Sequence, residues 1–159
     1  MIQAITETAF NPRLQTEDNR INTAVATSKI RHLFKFTNDM DKSIQYAYGA
    51  SENIYSRYTA FRFEYNTAPD VFTGKTKLFP AGYWKYDCYE VSWTGVVSVV
   101  RDKAPITETD VLPAEPDHGI VQGLVTKWKM YVAEKDGTQQ VQYTQRQEPS
   151  GTNYIYYGQ

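Results

Sequence analysis

The tripeptide Gly74-Lys75-Thr76 is the part of this sequence that comes closest to a known reactive motif, because it matches the end of a phosphate-binding loop. A complete loop also needs a glycine five residues earlier, where the backbone wraps the phosphates. Pro69 occupies that position and has no amide hydrogen. In addition, Lys77–Phe79 continues as a predicted strand where the loop requires a helix. The sequence therefore predicts a plain turn here, with no nucleotide and no other cofactor.

Residues that bind metals or act as nucleophiles are few and widely separated. The two histidines, His32 and His118, lie in different segments, with the single cysteine, Cys88, between them. None of the spacings that bring three or four ligands onto one metal is present. We therefore predict no metal site, a solvent-facing His118 and a Cys88 that packs as a small buried hydrophobe. A nucleophilic Cys-His pair is the alternative that the sequence leaves open.

Acid–base and serine chemistry also lack a signature. Asp87 and Glu90 are three residues apart in a predicted strand, so their carboxylates point to opposite faces. Glu52 and Glu64 are the other carboxylates that strand pairing could bring together. No Gly-x-Ser-x-Gly turn marks a serine hydrolase. We therefore predict that the protein is not an enzyme.

Composition argues against nucleic-acid-binding, membrane-spanning, secreted and disulfide-linked proteins. The 159 residues carry a formal net charge of −1, which gives no bulk attraction to nucleic acid. No stretch approaches the roughly 18 apolar residues of a membrane helix, and the N-terminus lacks a secretion-signal pattern. One cysteine cannot form an internal disulfide. The unusual feature is the count of 13 Tyr, 7 Phe and 3 Trp, which indicates a tyrosine-rich β domain.

The elements that must position these residues are strands, because apolar side chains alternate from His32 onward. In Ala60–Tyr65, Phe61 and Phe63 share one face with Tyr65. Gly82–Trp93 carries large side chains on both faces, which predicts a strand that is covered on both sides or changes environment halfway. The other predicted strands are Leu33–Thr37, Gln45–Tyr48, Lys75–Phe79, Val96–Val100, Ile120–Glu134, Gln139–Gln145 and Asn153–Tyr157.

About eight strands with tight turns predict an all-β fold, a single antiparallel β-sandwich or barrel of immunoglobulin-like or jelly-roll-like type, over residues 30–159. Met1–Lys29 is polar and offers little apolar surface, so it is predicted to be an extended N-terminal arm, with one helical turn near Leu14–Ile21. If this arm is ordered, a neighbouring subunit is expected to cover it. Arg101–Gly119 contains three prolines and five acidic residues and is predicted to be a long loop.

Aromatic and proline-rich segments predict where partners bind. Aromatic segments near the end of a chain rarely become ordered unless they pack against another surface. Tyrosine and tryptophan are also enriched at protein interfaces. The candidate interface residues are Leu14, Pro105, Pro113, Pro116, Trp128, Tyr154, Tyr156 and Tyr157.

Several segments together resemble a known group of proteins. They are Phe36-Thr-Asn-Asp-Met40, Ala47-Tyr-Gly-Ala-Ser51, Arg57-Tyr-Thr-Ala-Phe61, Leu78-Phe-Pro-Ala-Gly-Tyr-Trp-Lys-Tyr86, Tyr89-Glu-Val-Ser-Trp93, Val141-Gln-Tyr-Thr144 and Ser150-Gly-Thr-Asn-Tyr-Ile-Tyr-Tyr-Gly-Gln159. From Ile30 to Gln159 the chain resembles the small virion structural proteins of tailed double-stranded DNA bacteriophages. The resemblance implies a place in the virus particle and no catalytic chemistry.

These observations predict a capsid decoration or cement protein that stabilises the head shell. Its expected partners are the major capsid protein, or neck and tail proteins of the same virion, together with further copies of itself. It would assemble in the cytoplasm of the bacterial host. One alternative is a neck or tail component around the portal axis. Another is a head-fibre or tail-tip module that binds a receptor or glycan through exposed tyrosines and Trp128.

Overall fold

The computed structural model describes residues 1–136, and this part of the chain is nearly all β, with only two short 3-10 turns at Glu17–Asn19 and Thr27–Lys29. Its strands are β1 (Ile2–Ile5), β2 (Arg13–Leu14), β3 (Ile30–Asn38), β4 (Ile44–Tyr48), β5 (Ser51–Ile54), β6 (Thr59–Arg62), β7 (Glu64–Tyr65), β8 (Lys75–Thr76), β9 (Gly82–Ser92) and β10 (Ile120–Ala133). Within this range, no helix is long and apolar enough to cross a membrane.

The largest sheet has five strands in the order β1-β10-β9-β3-β4 and curls into a half-barrel. β9 lies at its centre and pairs antiparallel with both neighbours, so that Cys88 lies opposite Thr126 on β10 and Phe34 on β3. β1 instead pairs parallel to β10, with Ile2 opposite Met130. The sheet is therefore mixed, whereas the sequence predicted a purely antiparallel one. The sequence pattern could not predict this parallel pair, because its two strands lie at opposite ends of the described chain.

Two smaller sheets complete the fold, and the core lies against one of them. The first has the order β2-β6-β5, and the second is the short parallel pair β7-β8. On the inner face of the large sheet, Phe34 packs edge-on against Phe61, with ring centroids 4.8 Å apart. Phe36 packs in the same way against Phe63 at 5.4 Å. Such aromatic pairs add about 0.5–1.5 kcal/mol each beyond their buried area. Phe61 and Phe63, which were predicted to share one face of a strand, both belong to the main core.

β9 changes environment along its length, as its two-faced pattern predicted. At its start, Tyr83 and Lys85 are exposed on the outer face. Towards its end, Val91 and the following Trp93 are fully buried in a second cluster on that face, together with Ala104. The long loop and the segments around Val71–Phe72 and Val97–Val99 supply this cover, which divides the outer face into a covered half and an open half.

The loop over residues 101–119 is held by specific bonds as well as by packing. Tyr48 donates its hydroxyl hydrogen to the carbonyl oxygen of Pro105 at 2.7 Å. Lys35 and Tyr46 both donate to the carboxylate of Glu108. Burial opposes ionisation of Glu108, but these two hydrogen bonds outweigh it and hold the pKa of Glu108 below its ordinary value. The loop is thus fastened to the large sheet through β3 and β4.

The N-terminal segment lies on the body of the domain and is not a separate arm in this structure. Ile2 and Ala4 are buried in the main core, where β1 forms the edge of the large sheet. The predicted helical turn is a 3-10 turn at Glu17–Asn19, and Thr16 precedes it. However, the Thr16 hydroxyl does not cap the turn, because it bonds the Thr59 hydroxyl at 2.7 Å.

Two predicted strands are shorter or absent. Val96–Val100 forms no strand: Val97 and Val99 pack against the second cluster, whereas Val96 and Val100 are exposed. Gly95, just before this segment, donates its backbone hydrogen to the carbonyl oxygen of Pro116 at 2.7 Å. Lys75–Phe79 is a strand only at Lys75–Thr76. The predicted strands Gln139–Gln145 and Asn153–Tyr157 lie outside the described residues.

Candidate interaction surface

The strongest candidate for a functional surface is the edge of β10 that faces away from β9. Within residues 1–136, β1 covers this edge only from Met130 to Ala133. From Ile120 to Lys129, β10 pairs with β9 on one side and with no described strand on the other. An uncovered strand edge presents backbone donors and acceptors that another chain can use.

Large apolar side chains are exposed along this edge. Trp128 is 63% exposed, Ile120 49% and Leu124 41%. Trp128 on β10 lies directly opposite Tyr86 on β9. Although the two residues are cross-strand neighbours, Tyr86 is almost completely buried and Trp128 is mostly exposed. The difference arises because β1, the strand that flanks β10, begins only at Ile2, opposite Met130. An indole exposed at a strand edge is typical of interface hot spots.

The open half of the outer face beside this edge is positively charged. Lys85 lies directly opposite Lys129, and Lys127 lies opposite Asp87. Like charges at opposed positions of a sheet are destabilising. Asp39 compensates part of this charge, because its Oδ1 lies 3.2 Å from Nζ of Lys85. A shallow groove of about 340 Å³ runs between these side chains and is lined by Lys85, Tyr86, Asp87, Lys127, Trp128 and Lys129.

Glu90 attaches the N-terminal segment next to the same edge. Its carboxylate, fully buried, accepts the backbone hydrogens of Ile21 at 2.9 Å and Asn22 at 2.8 Å. The Ile21 side chain lies over Gly123, which has a φ of +149°. A Cβ at Gly123 would come within 2.9 Å of Cδ1 of Ile21, a side-chain end that can shift, so it is the backbone conformation that favours glycine.

A second polar group lies inside the domain, between the large sheet and β5. Nδ1 of His32 is 2.6 Å from Oε1 of Glu52, and both side chains are nearly inaccessible. Nε2 of His32 has no hydrogen-bond partner among the described residues. The sequence did not predict this pair, because Glu52 and His32 come from different sheets. The sequence did contain one hint of buried polar contacts nearby. Glu90 shares a face of its predicted strand with Tyr86 and Cys88, and a glutamate in such a position needs a buried partner.

Cys88 is buried as predicted, with no exposed surface. Burial raises the pKa of its thiol well above the ordinary value, and the nearby carboxylates of Glu52 and Glu90 add to the effect. Within the described part of the chain, no hydrogen bond joins Cys88 to His32. These surroundings favour the neutral thiol and oppose the nucleophilic thiolate that the Cys-His alternative requires.

The prediction of a solvent-facing His118 is wrong, since its side chain is only 13% exposed. Its Nδ1 lies 2.9 Å from the carbonyl oxygen of Pro113. Donor atoms of Glu115, Asp117 and His118 lie within 4.8 Å of one another. However, Lys103 already binds Asp117 through its ammonium group. We assign no metal to this cluster.

Gly74 of the phosphate-loop-like tripeptide has a structural role. It adopts a φ of +72°, and a Cβ there would lie 2.2 Å from the backbone nitrogen of Ala50. Its carbonyl oxygen accepts the backbone hydrogen of Glu64 at 2.8 Å. Only glycine fits this close contact between two segments, so packing accounts for the residue.

The predicted interface residues do not form one surface. Trp128 is exposed on β10, and Pro113 and Pro116 are exposed on the long loop. Leu14 is half-buried and packs against the main core. Pro105 is buried inside the chain beneath Tyr48, so it offers no contact to a partner in this structure. The predicted contacts Tyr154, Tyr156 and Tyr157 lie outside the described residues.

The chain was compared with known proteins at three levels. No protein-family model, no curated protein and no solved structure matches it.

Proposed function

We propose that this chain is a structural protein of a bacteriophage virion that decorates and cements the head shell. The observation that carries the proposal is the exposed indole of Trp128 beside the part of the β10 edge that no strand within residues 1–136 covers. Proteins that act by assembly need apolar and backbone groups that become satisfied only in the complex. The expected partner is the major capsid protein, and the expected location is the virion.

In the proposed mechanism, the chain strengthens the shell mechanically by binding neighbouring subunits. Burial of an exposed tryptophan such as Trp128 against a neighbouring subunit stabilises the contact by about 2–3 kcal/mol. Many copies on one shell make such modest contacts effective together. The bonds of Tyr48, Lys35 and Tyr46 to the loop over residues 101–119 support this mechanism, because an ordered loop loses little entropy on binding.

Mass spectrometry of particles of the phage that encodes the chain tests the proposal. A decoration protein is expected in a number of copies comparable with that of the major capsid protein, whereas a neck or tail ring would be present in far fewer copies. Absence of the chain from purified particles would overturn the proposal altogether.

Binding of the purified full chain to particles that lack it tests the proposed surface. Replacement of Trp128 by alanine is expected to weaken binding by roughly 10-fold or more, as at an interface hot spot. Tyr55→Ala is the matched control, because Tyr55 is also an exposed aromatic, at 51%, but lies in the β5–β6 connection. Equal binding by both variants would exclude the edge of β10 as the shell contact.

A glycan-binding module is the second candidate, and the groove beside Trp128 favours it. The groove of about 340 Å³ is lined by lysine and aspartate residues, which are able to bind sugar hydroxyls, and by Trp128 at the strand edge. A glycan-array signal that Trp128→Ala abolishes and Tyr55→Ala retains would support this candidate. Particle binding without any glycan signal would favour the decoration role.

A further inference from the structure

We infer that the groove between β9 and β10 receives an acidic segment of a partner protein, whose carboxylates bind the lysines of the groove. The inference rests on the proposed function and deepens it, because it states the chemistry that the partner must present at this contact. The observations that carry it are three lysines around one groove, next to the part of the β10 edge that no described strand covers.

The groove lies on the open half of the outer face and is mainly positive. Side chains alternate along a strand, so Lys85 and Asp87 of β9 project to the outer face. Lys127 and Lys129 of β10 lie opposite them and project to the same face. The groove therefore carries three positive charges and one negative charge, whereas the whole chain has a net charge of −1.

The fold leaves most of this charge without compensation. Lys85 lies directly opposite Lys129, and like charges in that position destabilise a sheet. Asp39 pairs with Lys85, with 3.2 Å between its Oδ1 and Nζ. Among residues 1–136, no ion pair joins Lys127 or Lys129 to a carboxylate, and both side chains are exposed. Within the described chain, two ammonium groups are thus available to carboxylates of another molecule.

Protection of the strand edge does not account for all of these lysines. Lysines on an edge strand oppose pairing with other chains, and Lys127 and Lys129 suit that role. However, Lys85 lies on β9, at the centre of the large sheet, where no edge needs protection. Edge protection also does not require an exposed indole, whereas Trp128 is 63% exposed. Together these residues indicate a binding surface that selects its partner by charge.

An acidic protein segment fits this surface better than a nucleic acid does. Asp87 lines the groove and repels a ligand that carries a negative charge at every unit. The neighbouring strand edge offers backbone donors and acceptors, which an extended peptide satisfies by adding a strand to the sheet. A polyanion without amide groups leaves them unpaired.

The geometry of an added strand also predicts the pattern of the segment. Trp128 alternates with Lys127 and Lys129, so its side chain projects to the other face of the sheet. An acidic residue opposite Lys127 lies diagonal to Lys129, within reach of its long side chain. The next residue of the added strand lies beside the indole of Trp128. The expected segment therefore alternates acidic and apolar residues.

The chain itself does not supply such a segment. Residues 137–159 contain one acidic residue, Glu148, and one basic residue, Arg146, so they bring no net negative charge. A second copy would bring the same lysines to an edge-to-edge contact. Of the five acidic residues in the loop over residues 101–119, three already bind groups of their own chain, namely Glu108, Asp110 and Asp117. The acidic segment is therefore expected to come from another protein.

Two synthetic peptides test the inference without the virus particle. One alternates glutamate with valine, and the other has lysine in place of each glutamate. NMR of the purified full chain at low salt follows binding through the amide resonances of Thr126 to Lys129. The glutamate peptide is expected to shift these resonances and to bind roughly tenfold more tightly than the lysine peptide. Equal binding of both peptides, or no shift with either, would overturn the inference.

Reversal of charge in the groove is the second test. Lys127→Glu combined with Lys129→Glu is expected to reverse the preference, so that the lysine peptide binds more tightly. Lys77→Glu is the matched control, because Lys77 is also exposed, has no ion pair in the described part of the chain and lies outside the groove. This control should retain the preference for glutamate. An unchanged preference in the groove variant would overturn the inference, even if the glutamate peptide binds.

The two proposals fail separately. A chain that is present on virions but does not prefer the glutamate peptide would leave the decoration role intact and exclude the acidic partner segment. A chain that prefers this peptide but is absent from virions would support the acidic segment and exclude the decoration role. Self-association of the pure chain that the groove variant abolishes would assign the groove to a second copy and overturn the inference.

Discussion

The carboxylate of Glu90 binds the backbone of Asn22, with Oε1 2.8 Å from the amide nitrogen, across a separation of 68 residues in the chain. Its other oxygen accepts the backbone hydrogen of Ile21 at 2.9 Å. Asn22 also donates its side-chain amide hydrogen to Oγ of Ser92 at 3.3 Å. A buried anion thus holds the N-terminal segment on the large sheet, where the sequence predicted an arm that only a neighbouring subunit would cover.

Replacement of Glu90 by glutamine should weaken this attachment. The amide nitrogen of glutamine cannot accept a backbone hydrogen, so one partly buried N–H group loses its partner, at a cost of about 1 kcal/mol. Urea unfolding measures the loss in stability, and hydrogen exchange should show faster exchange at Ile21 and Asn22. Glu64→Gln is the control, because Glu64 is half-exposed and its pair with Arg62 contributes little. Unchanged exchange at Ile21 and Asn22 would contradict the assigned contact.

Replacement by alanine should destabilise the fold far more at Trp84 than at Trp128. Trp84 is 2% exposed in the main core, so its loss should cost about 3–5 kcal/mol of unfolding free energy. Trp128→Ala should cost less than about 1 kcal/mol, because most of that side chain is already in water. Thermal and urea unfolding measure both effects. A large loss of stability in Trp128→Ala would mean that Trp128 supports the fold and is not free to bind a partner.

The link between β4 and the long loop should weaken at alkaline pH. Burial, and then the hydrogen bond to Glu108, raise the pKa of Tyr46 from 10.0 to about 12. Between those values the unfolded chain ionises Tyr46 while the folded chain keeps its proton, so stability falls as the pH rises. The hydrogen bond to Glu108 likewise raises the pKa of Lys35, whose contribution is present below its ordinary pKa and is lost above it. After allowance for solvent screening, the contribution of Tyr46 should fall by about 1–2 kcal/mol across this window.

Comparison with Tyr46→Phe isolates that effect from the other tyrosines. The natural chain should be the more stable at pH 8, because the variant lacks the hydrogen bond to Glu108. This advantage should shrink as the pH rises from 10 to 12. A constant difference over that range, measured by urea unfolding, would show that Tyr46 titrates alike in the folded and unfolded chains.

Cys88 should react with thiol reagents only when the domain unfolds. Its side chain is inaccessible, and burial raises its pKa, so both access and thiolate formation are suppressed in the native state. Labelling rates in low concentrations of urea should therefore follow the rate of global unfolding. Rapid stoichiometric labelling of the folded protein at pH 8 would contradict this account and reopen the nucleophile hypothesis.

Local features of the sequence were sufficient to predict the elements that depend on neighbouring residues. Strand-type sequence patterns identified most of β3, β4, β9 and β10, because successive side chains of a strand point to opposite faces. The same period separated the carboxylates of Asp87 and Glu90 onto opposite faces. Proline density identified the long loop, and the residue type and strand context of Cys88 predicted its burial.

Contacts between distant segments were decided only by the tertiary structure. A polar stretch such as residues 1–29 carries no period, so the sequence did not predict that β1 completes the large sheet or that Glu90 binds Asn22. The pair of His32 and Glu52 likewise joins two different sheets. The hydrogen bond from Tyr48 to Pro105 joins the large sheet to the long loop. Side-chain alternation reports which face of a strand is buried, but it does not report which strand lies beside its edge, because backbone hydrogen bonds are the same for every partner.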